Sequence, residues 1–273
     1  MLADLHTHTT ASDGALTPSE LLARAAVNGV THLAITDHDT LDAYSNLGRR
    51  IDGHPEVIPG IEFSTTWRKI GVHIIGLNVD LAHSGLRAAV RAQGERRIDR
   101  AHRIAESLGR SGIRVCLDEL LAKTGNASIG RPHFADYLVR AGHVRDVATA
   151  FRRYLGAGKP GDVRNLWPEP AAAIGWIVAA GGIAVLAHPA HYRLTTTRLR
   201  ELLRDFRDGG GGGIEVVSGQ QNAATTLKLG RLATEYGLAA SCGSDFHAPA
   251  GPWSEPGRFQ ALPAANMPVW DLW

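Results

Sequence analysis

The segment His6-Thr7-His8 puts two imidazoles two residues apart, and in an extended strand such side chains leave the same face within reach of one cation. Ser12-Asp13-Gly14 has turn composition, so the Asp13 carboxylate can fold back beside them. Alone, this is either a metal site or two polar strand residues and a turn aspartate. The other histidines and acids decide between the two. His38 sits in Thr36-Asp37-His38-Asp39, Glu62 in Gly60-Ile61-Glu62 and His73 in Val72-His73-Ile74-Ile75. His188 sits in Ala187-His188-Pro189, and Asp245 and His247 in Gly243-Ser244-Asp245-Phe246-His247. His6, His8, Asp13, His38, Glu62, His73, His188, Asp245 and His247 exceed what one four- to six-coordinate cation takes, which predicts two or three divalent ions with Glu62 as the shared carboxylate. Imidazole and carboxylate without thiolate suit manganese, iron or zinc and do not separate them. Ions roughly 3.5–4 Å apart activate a bridging water and hold both oxygens of a displaced phosphate ester.

The elements that must position these groups alternate between strand and helix. Leu33-Ala34-Ile35, Val57-Ile58, Val72 to Val79, Ile183 to Ala187, Ile214 to Val217 and Ala239-Ala240 read as short buried strands. Thr17-Pro18-Ser19-Glu20 opens a helix that Gly29 ends. The alternation predicts βαβ units and a mostly parallel α/β sheet, open or closed, whose strand ends carry the candidate ligands. Residues 84–180 break the rhythm with helical patterns and no convincing strand, and read as a helical insertion between a first part, 1–83, and a second, 181–273. The glycines at 209–213 read as a flexible surface linker.

These motifs, with Asp4-Leu5-His6-Thr7-His8, Pro59-Gly60-Ile61-Glu62 and Gly130-Arg131-Pro132-His133, resemble the PHP (polymerase and histidinol phosphatase) family over residues 3 to about 248. Within it the chain is most similar to stand-alone bacterial phosphoesterases acting on nucleoside 3′,5′-bisphosphates and short 5′-phosphorylated RNA. The resemblance implies a distorted (β/α)7 barrel with a helical insertion. It also implies one metal on His6, His8, Glu62 and Asp245, a second on Glu62, His73 and His188, and a third on Asp13, His38 and His247. Histidinol-phosphate phosphatase is the alternative activity, and a non-catalytic PHP binding module the alternative of another class; a complete ligand set favours an enzyme.

Arg131 and His133 are predicted to bind the substrate phosphate from a cap over the barrel mouth, Arg131 as a planar fork and His133 as a donor or general acid. The competing reading is that Gly130 to His133 merely starts a helix. Asp37 is a further candidate catalytic residue, acting by orienting His38 or His6; Asp39 either does likewise or caps a helix. His32, His54, His83, His102, His143 and His191 match no motif, although His191 lies three residues beyond His188. Cys242 has no neighbouring base and is rejected as a nucleophile.

Net charge is +2, which does not suggest a nucleic-acid coat or a membrane-surface protein. Between Leu86 and Arg114, however, eight arginines face three acids, and Arg96, Arg100 and Arg103 share a helical face that is either solvated or in contact with an RNA backbone. No apolar run approaches the ~20 residues of a membrane span, and the first residues lack a signal-peptide pattern. Two cysteines make no disulfide framework. A cytoplasmic enzyme is expected, with a small nucleotide or short RNA as substrate and no stable protein partner.

Overall fold

The computed structural model describes all residues except 46, 48–52, 164–165 and 251–253. Seven strands form one sheet in chain order: β1 (Ala3–Asp4), β2 (His32–Ile35), β3 (Glu56–Trp67), β4 (Ile70–Leu77), β5 (Ile183–Leu186), β6 (Gly213–Ser218) and β7 (Ala239–Gly243). The edges meet: Leu5 N donates to Cys242 O at 3.0 Å, Asp245 N to His6 O at 2.9 Å and His8 N to Phe246 O at 2.9 Å, giving a nearly closed barrel. The buried Asp4 carboxylate joins the seam by accepting from the Ser244 amide at 2.8 Å and the Gly257 amide at 2.7 Å. Ala3, Leu5, Ala34, Ile58, Ile75, Val185 and Ala239 form one of its apolar clusters.

Helix α1 (Pro18–Val27) starts where its sequence predicts, with Thr17 and Glu20 in a reciprocal capping box. Helices α6 (Pro170–Ala179), α7 (Thr196–Asp208) and α8 (Ala223–Tyr236) bury their apolar faces against the barrel's outer surface, together with Phe63, Ile74 and Leu186. Between β4 and β5 the described residues form no strand. Helix α2 (Ser84–Arg110) has 27 residues, and at about 1.5 Å per residue it reaches roughly 40 Å, enough to climb the barrel and pass its mouth. Its first half gives Leu86 and Ala89 to the barrel core. Its second half gives Ala101, Ile104 and Leu108 to a separate core shared with α3 (Leu117–Thr124) and α4 (Arg131–Arg140), and extending through α5 (Val147–Ala150) to Leu155. The stretch 84–180 thus includes α6, whose Ala173, Ile174 and Ile177 pack with the barrel and not with the cap.

Two local expectations differ from what folds. The sheet is mostly parallel as expected, but not every connection is a βαβ crossover: β3 pairs antiparallel with β4, and β4 with β5, because Arg68 and Lys69 at φ 45° and 71° make a two-residue hairpin turn in place of a helix. Strand β3 therefore runs on past Glu62 to Trp67, and its upper end walls the mouth. The glycines at 209–213 are only partly surface: Gly209 and Gly210 are exposed, but a Cβ on Gly211 would run into the Phe206 ring, and Gly213 is buried where β6 begins. Among the described residues no helix is long and apolar enough to cross a membrane.

Candidate metal centre and phosphate pocket

All nine predicted ligands meet at one end of the barrel. The β1 ladder stops at Asp4, yet His6 and His8 still enter the cluster because residues 5–8 stay extended, held by the Leu5 and His8 amides. Gly14 lets the Ser12-Asp13-Gly14 turn lie flat on the His8 backbone, since a Cβ there would clash with His8 O and Thr9 N. Glu62 is fully buried; Oε1 lies 3.0 Å from His73 Nδ1 and 3.0 Å from His188 Nε2, and Oε2 lies 2.7 Å from His38 Nδ1. His6 Nε2 and His8 Nε2 are each 3.4 Å from Asp245 Oδ1. His247 Nε2 is 3.4 Å from Asp13 Oδ1, and His38 Nε2 is 3.8 Å from Asp13 Oδ2.

Among the described residues, four sets of donor atoms converge closely enough to share an ion: His8, Asp13, His38 and His247; His6, Glu62 and His188; His6, His8 and Asp245; and His38, Glu62 and His73. The first contains the third set implied by resemblance and the third set most of the first, whereas His73 and His188, implied to share one ion, fall into different groups around Glu62. His6 Nε2, both His8 nitrogens and His188 Nδ1 are buried without a hydrogen-bond partner. Orphaned buried polar atoms are costly and uncommon, and lone pairs aimed at a common centre are what a cation satisfies. The residues present therefore fit divalent cations.

Electrostatics puts most of these groups in the protonation states that a metal ligand needs. Burial opposes the charges of Glu62, Asp13 and Asp245, but the surrounding imidazoles overcome it and hold all three carboxyls well below the carboxylate range. His8 is pushed down to about 3, first by burial and then by the His247 charge, so it is neutral. His247 is the opposite case: burial is outweighed by its hydrogen bond and attraction to Asp13, and it rises to about 9. Asp39, His188 and Asp245 carry positive φ of 55°, 27° and 52°, conformations that the surrounding structure must enforce.

Several supporting residues went unread in the sequence. Glu215, fully buried on β6, accepts from His6 Nδ1 at 3.0 Å and from the His188 amide at 2.6 Å, so it turns the free His6 nitrogen toward the cluster. A carboxylate inside the apolar run Ile214 to Val217 was its signal. Tyr192 OH accepts from the His73 amide at 2.9 Å and donates to Ala187 O at 2.9 Å. Asp37 turns its oxygens to Thr9 and Ser12, accepting from Thr9 N at 2.7 Å, Thr9 Oγ1 at 2.6 Å and Ser12 Oγ at 2.5 Å; it braces the loop that carries Asp13. Asp39 caps no helix and binds the Ser64 amide, Gln93 and Arg97.

Above the cluster lies a cavity of about 520 Å³ between the barrel mouth and the cap, lined by Asp13, His38 and His73 on the metal side and by Arg97, Arg100, Arg131 and Trp167 on the cap side. Arg131 is the first residue of α4, and its Nη1 donates to Leu155 O at 3.2 Å. His133 lies behind it, outside the cavity lining, where its Nδ1 accepts from the Gly130 amide at 3.0 Å; it holds the start of the helix. Arg100 does not lie on a solvated face: burial, followed by repulsion from Arg131 and Arg97, depresses it to about 9. Asp162 on the same wall, 3.9 Å from Arg131 Nη1, offsets part of this repulsion, and the three guanidiniums leave the wall cationic. His191 lines the same cavity and stacks on His188 at 5.2 Å.

Comparison with known proteins agrees with this geometry. A PHP domain model matches residues 4–155. The chain is 42% identical over 272 residues to a 3′,5′-nucleoside bisphosphate phosphatase of Chromobacterium violaceum, covering 98% of this chain and 94% of that protein. It is also 42% identical over 276 residues to the 5′-3′ exoribonuclease Rnm of Salmonella typhimurium, covering 100% and 94%. A solved structure described as an amidohydrolase from Chromobacterium violaceum, with bound sulfate and no metal, superposes with a TM-score of 0.89 at 40% identity over 100% of this chain and 95% of that one. With a ligand-bearing barrel mouth, a cationic cap and a match over more than half its length, this chain belongs to the PHP domain family.

Proposed function

We propose that this protein is a metal-dependent phosphoesterase that hydrolyses phosphate esters of small nucleotides, nucleoside 3′,5′-bisphosphates in particular, or the 5′ ends of short RNA. The observation that carries the reading is the cavity: Asp13, His38 and His73 of the nine-residue cluster line its floor, and Arg100 and Arg131 form its opposite wall. A non-catalytic module has no use for a complete set of candidate ligands facing a cationic wall. The relatives named as a bisphosphate phosphatase and an exoribonuclease support the same substrate class.

When bound, two or three divalent cations (manganese, iron or zinc) supply a nucleophilic water and neutralise charge on the reacting phosphate. Every other task falls to the chain. Glu62 joins the imidazole sets, Glu215 fixes the His6 ring, and Asp37 braces the loop bearing Asp13. Arg131, with Arg100 beside it, receives phosphate oxygens in planar, charge-assisted contacts, and His133 holds the turn from which Arg131 projects. Trp167 and Phe151 give the cavity apolar faces that keep water away from the ester.

The test is phosphate and nucleotide release from nucleoside 3′,5′-bisphosphates, 5′-phosphorylated short RNAs and histidinol phosphate, with metal-loaded and chelator-stripped protein. Turnover of the first two by the loaded protein alone is expected. Preference for histidinol phosphate, or turnover indifferent to chelation, would overturn the assignment.

A further inference from the structure

Helix α2 carries Leu86 and Ala89 into the barrel core and Ala101, Ile104 and Leu108 into the cap core. On the same face, between the two groups, stand Gln93 and Arg97, 0% and 5% exposed. A buried guanidinium is tolerated only when its donors are used, and Arg97 uses them on three separate segments. Nε donates to Asp39 Oδ2 at 2.8 Å, Nη2 to Ser64 Oγ at 3.0 Å and Nη1 to Ile129 O at 2.9 Å. Asp39 follows the ligand His38 and holds its positive φ with Oδ1 on the Ser64 amide at 2.8 Å. Ser64 lies two residues beyond Glu62 on β3, and Ile129 immediately precedes the Gly130-Arg131 turn. Trp167 stacks over the guanidinium at 5.4 Å, and both line the cavity.

We propose that Arg97 is a positioning residue that sets the separation between the phosphate-gripping Arg131 and the metal-ligand floor, by tying the His38-Asp39 turn and strand β3 to the Ile129-Gly130 backbone of the cap. Helix α2 joins the cap core to the barrel core, and the Ser128 amide donates to Ala11 O at 2.8 Å, but neither is a side-chain contact made at the Asp39-Ser64 level of the floor. Arg97 makes that contact and sets the final spacing, because one rigid planar group cannot satisfy Asp39, Ser64 and Ile129 at other separations. Lysine keeps the charge against Asp39 but, as a point donor on a flexible stem, cannot hold all three. The activity arm of the test rests on the phosphoesterase reading; its binding arm does not.

The experiment is a double-mutant cycle of Arg97→Lys with Arg131→Ala, read as the affinity for inorganic phosphate by calorimetry, as kcat and KM on a nucleoside 3′,5′-bisphosphate, and as metal content. Arg97→Lys should keep its metal, weaken phosphate binding and raise KM by about tenfold, with a smaller change in kcat, as expected when a charge-assisted hydrogen bond is held out of line. In the Arg131→Ala background the same change should cost less than about twofold, because residues acting through one another are not additive. Full additivity, or unchanged phosphate affinity in Arg97→Lys, would overturn the proposal. The pair Arg97→Met with Asp39→Asn removes both buried charges together and should reproduce the raised KM without stranding a carboxylate. Failure of this pair and of Arg97→Lys to fold would make Arg97 a folding determinant and overturn its positioning role. A wild-type protein inactive on every bisphosphate would instead overturn the functional reading, and the phosphate-binding cycle would still decide the tie.

Discussion

Cation uptake at the Asp13 end of the cluster should be coupled to loss of about one proton, contributed by His247. Asp13 is already ionised and His8 already neutral at pH 7, so neither has a proton to give. His247, raised to about 9, still carries its own. Its Nδ1 faces Asp245 O at 2.9 Å, and its Nε2 points at Asp13 Oδ1 3.4 Å away, so the proton that must leave is the one on Nε2. Below pH 9 proton and cation compete, so affinity at this position should rise about tenfold per pH unit, roughly 100-fold from about pH 6 to 8, and level off above 9. The metal-free protein should respond with the other sign. Because the value is raised from 6.5 to about 9, the stabilisation from protonated His247 is complete below 6.5 and lost as pH rises through 9. Calorimetric titration of chelator-stripped protein in buffers of different ionisation enthalpy counts the protons, and His247→Asn isolates this contribution. The wild type should release about one more proton per chain than the variant at neutral pH. Equal release by the two proteins, or affinity flat across this range, would refute the assignment of the proton to His247.

Three further outcomes are expected. Wild-type protein grown with metal should carry at least about two equivalents of divalent ion, and Glu62→Gln should lose more of it than His247→Asn, by about 3–5 kcal/mol of binding, the scale of removing one partner of a buried charge pair; elemental analysis that finds the two variants equally loaded would deny Glu62 its bridging position. Arg131→Ala should retain its metal and fold while kcat/KM falls by about 100-fold, the size expected when one charge-assisted hydrogen bond is removed from the transition state; metal loss in that variant would place Arg131 among the determinants of the cluster. If the α2 arginines contact RNA beyond the first nucleotide, log activity on oligonucleotides should fall more steeply with log salt than activity on a bisphosphate, since each added phosphate contact releases counterions; equal slopes would confine recognition to the cavity.

The cluster of candidate ligands was legible in the sequence because polar residues at the ends of strands are local signals. His6 and His8 need only an extended backbone, Asp13 only its Ser-Asp-Gly turn, and Asp245 and His247 only the turn after a short apolar run. The capped start of α1 and the Gly130-Arg131-Pro132 start of α4 are local for the same reason. Direction of pairing was not: two residues, Arg68 and Lys69, in a hairpin turn reverse β4, and nothing in their side chains announces positive φ. Nor does a run of glycines distinguish a linker from a place where Phe206 needs the room. The supporting residues belong to the tertiary structure above all. Glu215 meets His6 across 209 residues and Arg97 meets Asp39 across 58. Arg97 did leave a trace, since Leu86, Ala89, Gln93, Arg97, Ala101, Ile104 and Leu108 share one helical face, but the charge pattern drew attention to Arg96, Arg100 and Arg103 instead. Whether an arginine is solvated or buried depends on what long-range folding sets opposite it, a carboxylate and two oxygen acceptors here, and that is fixed only when cap and barrel come together.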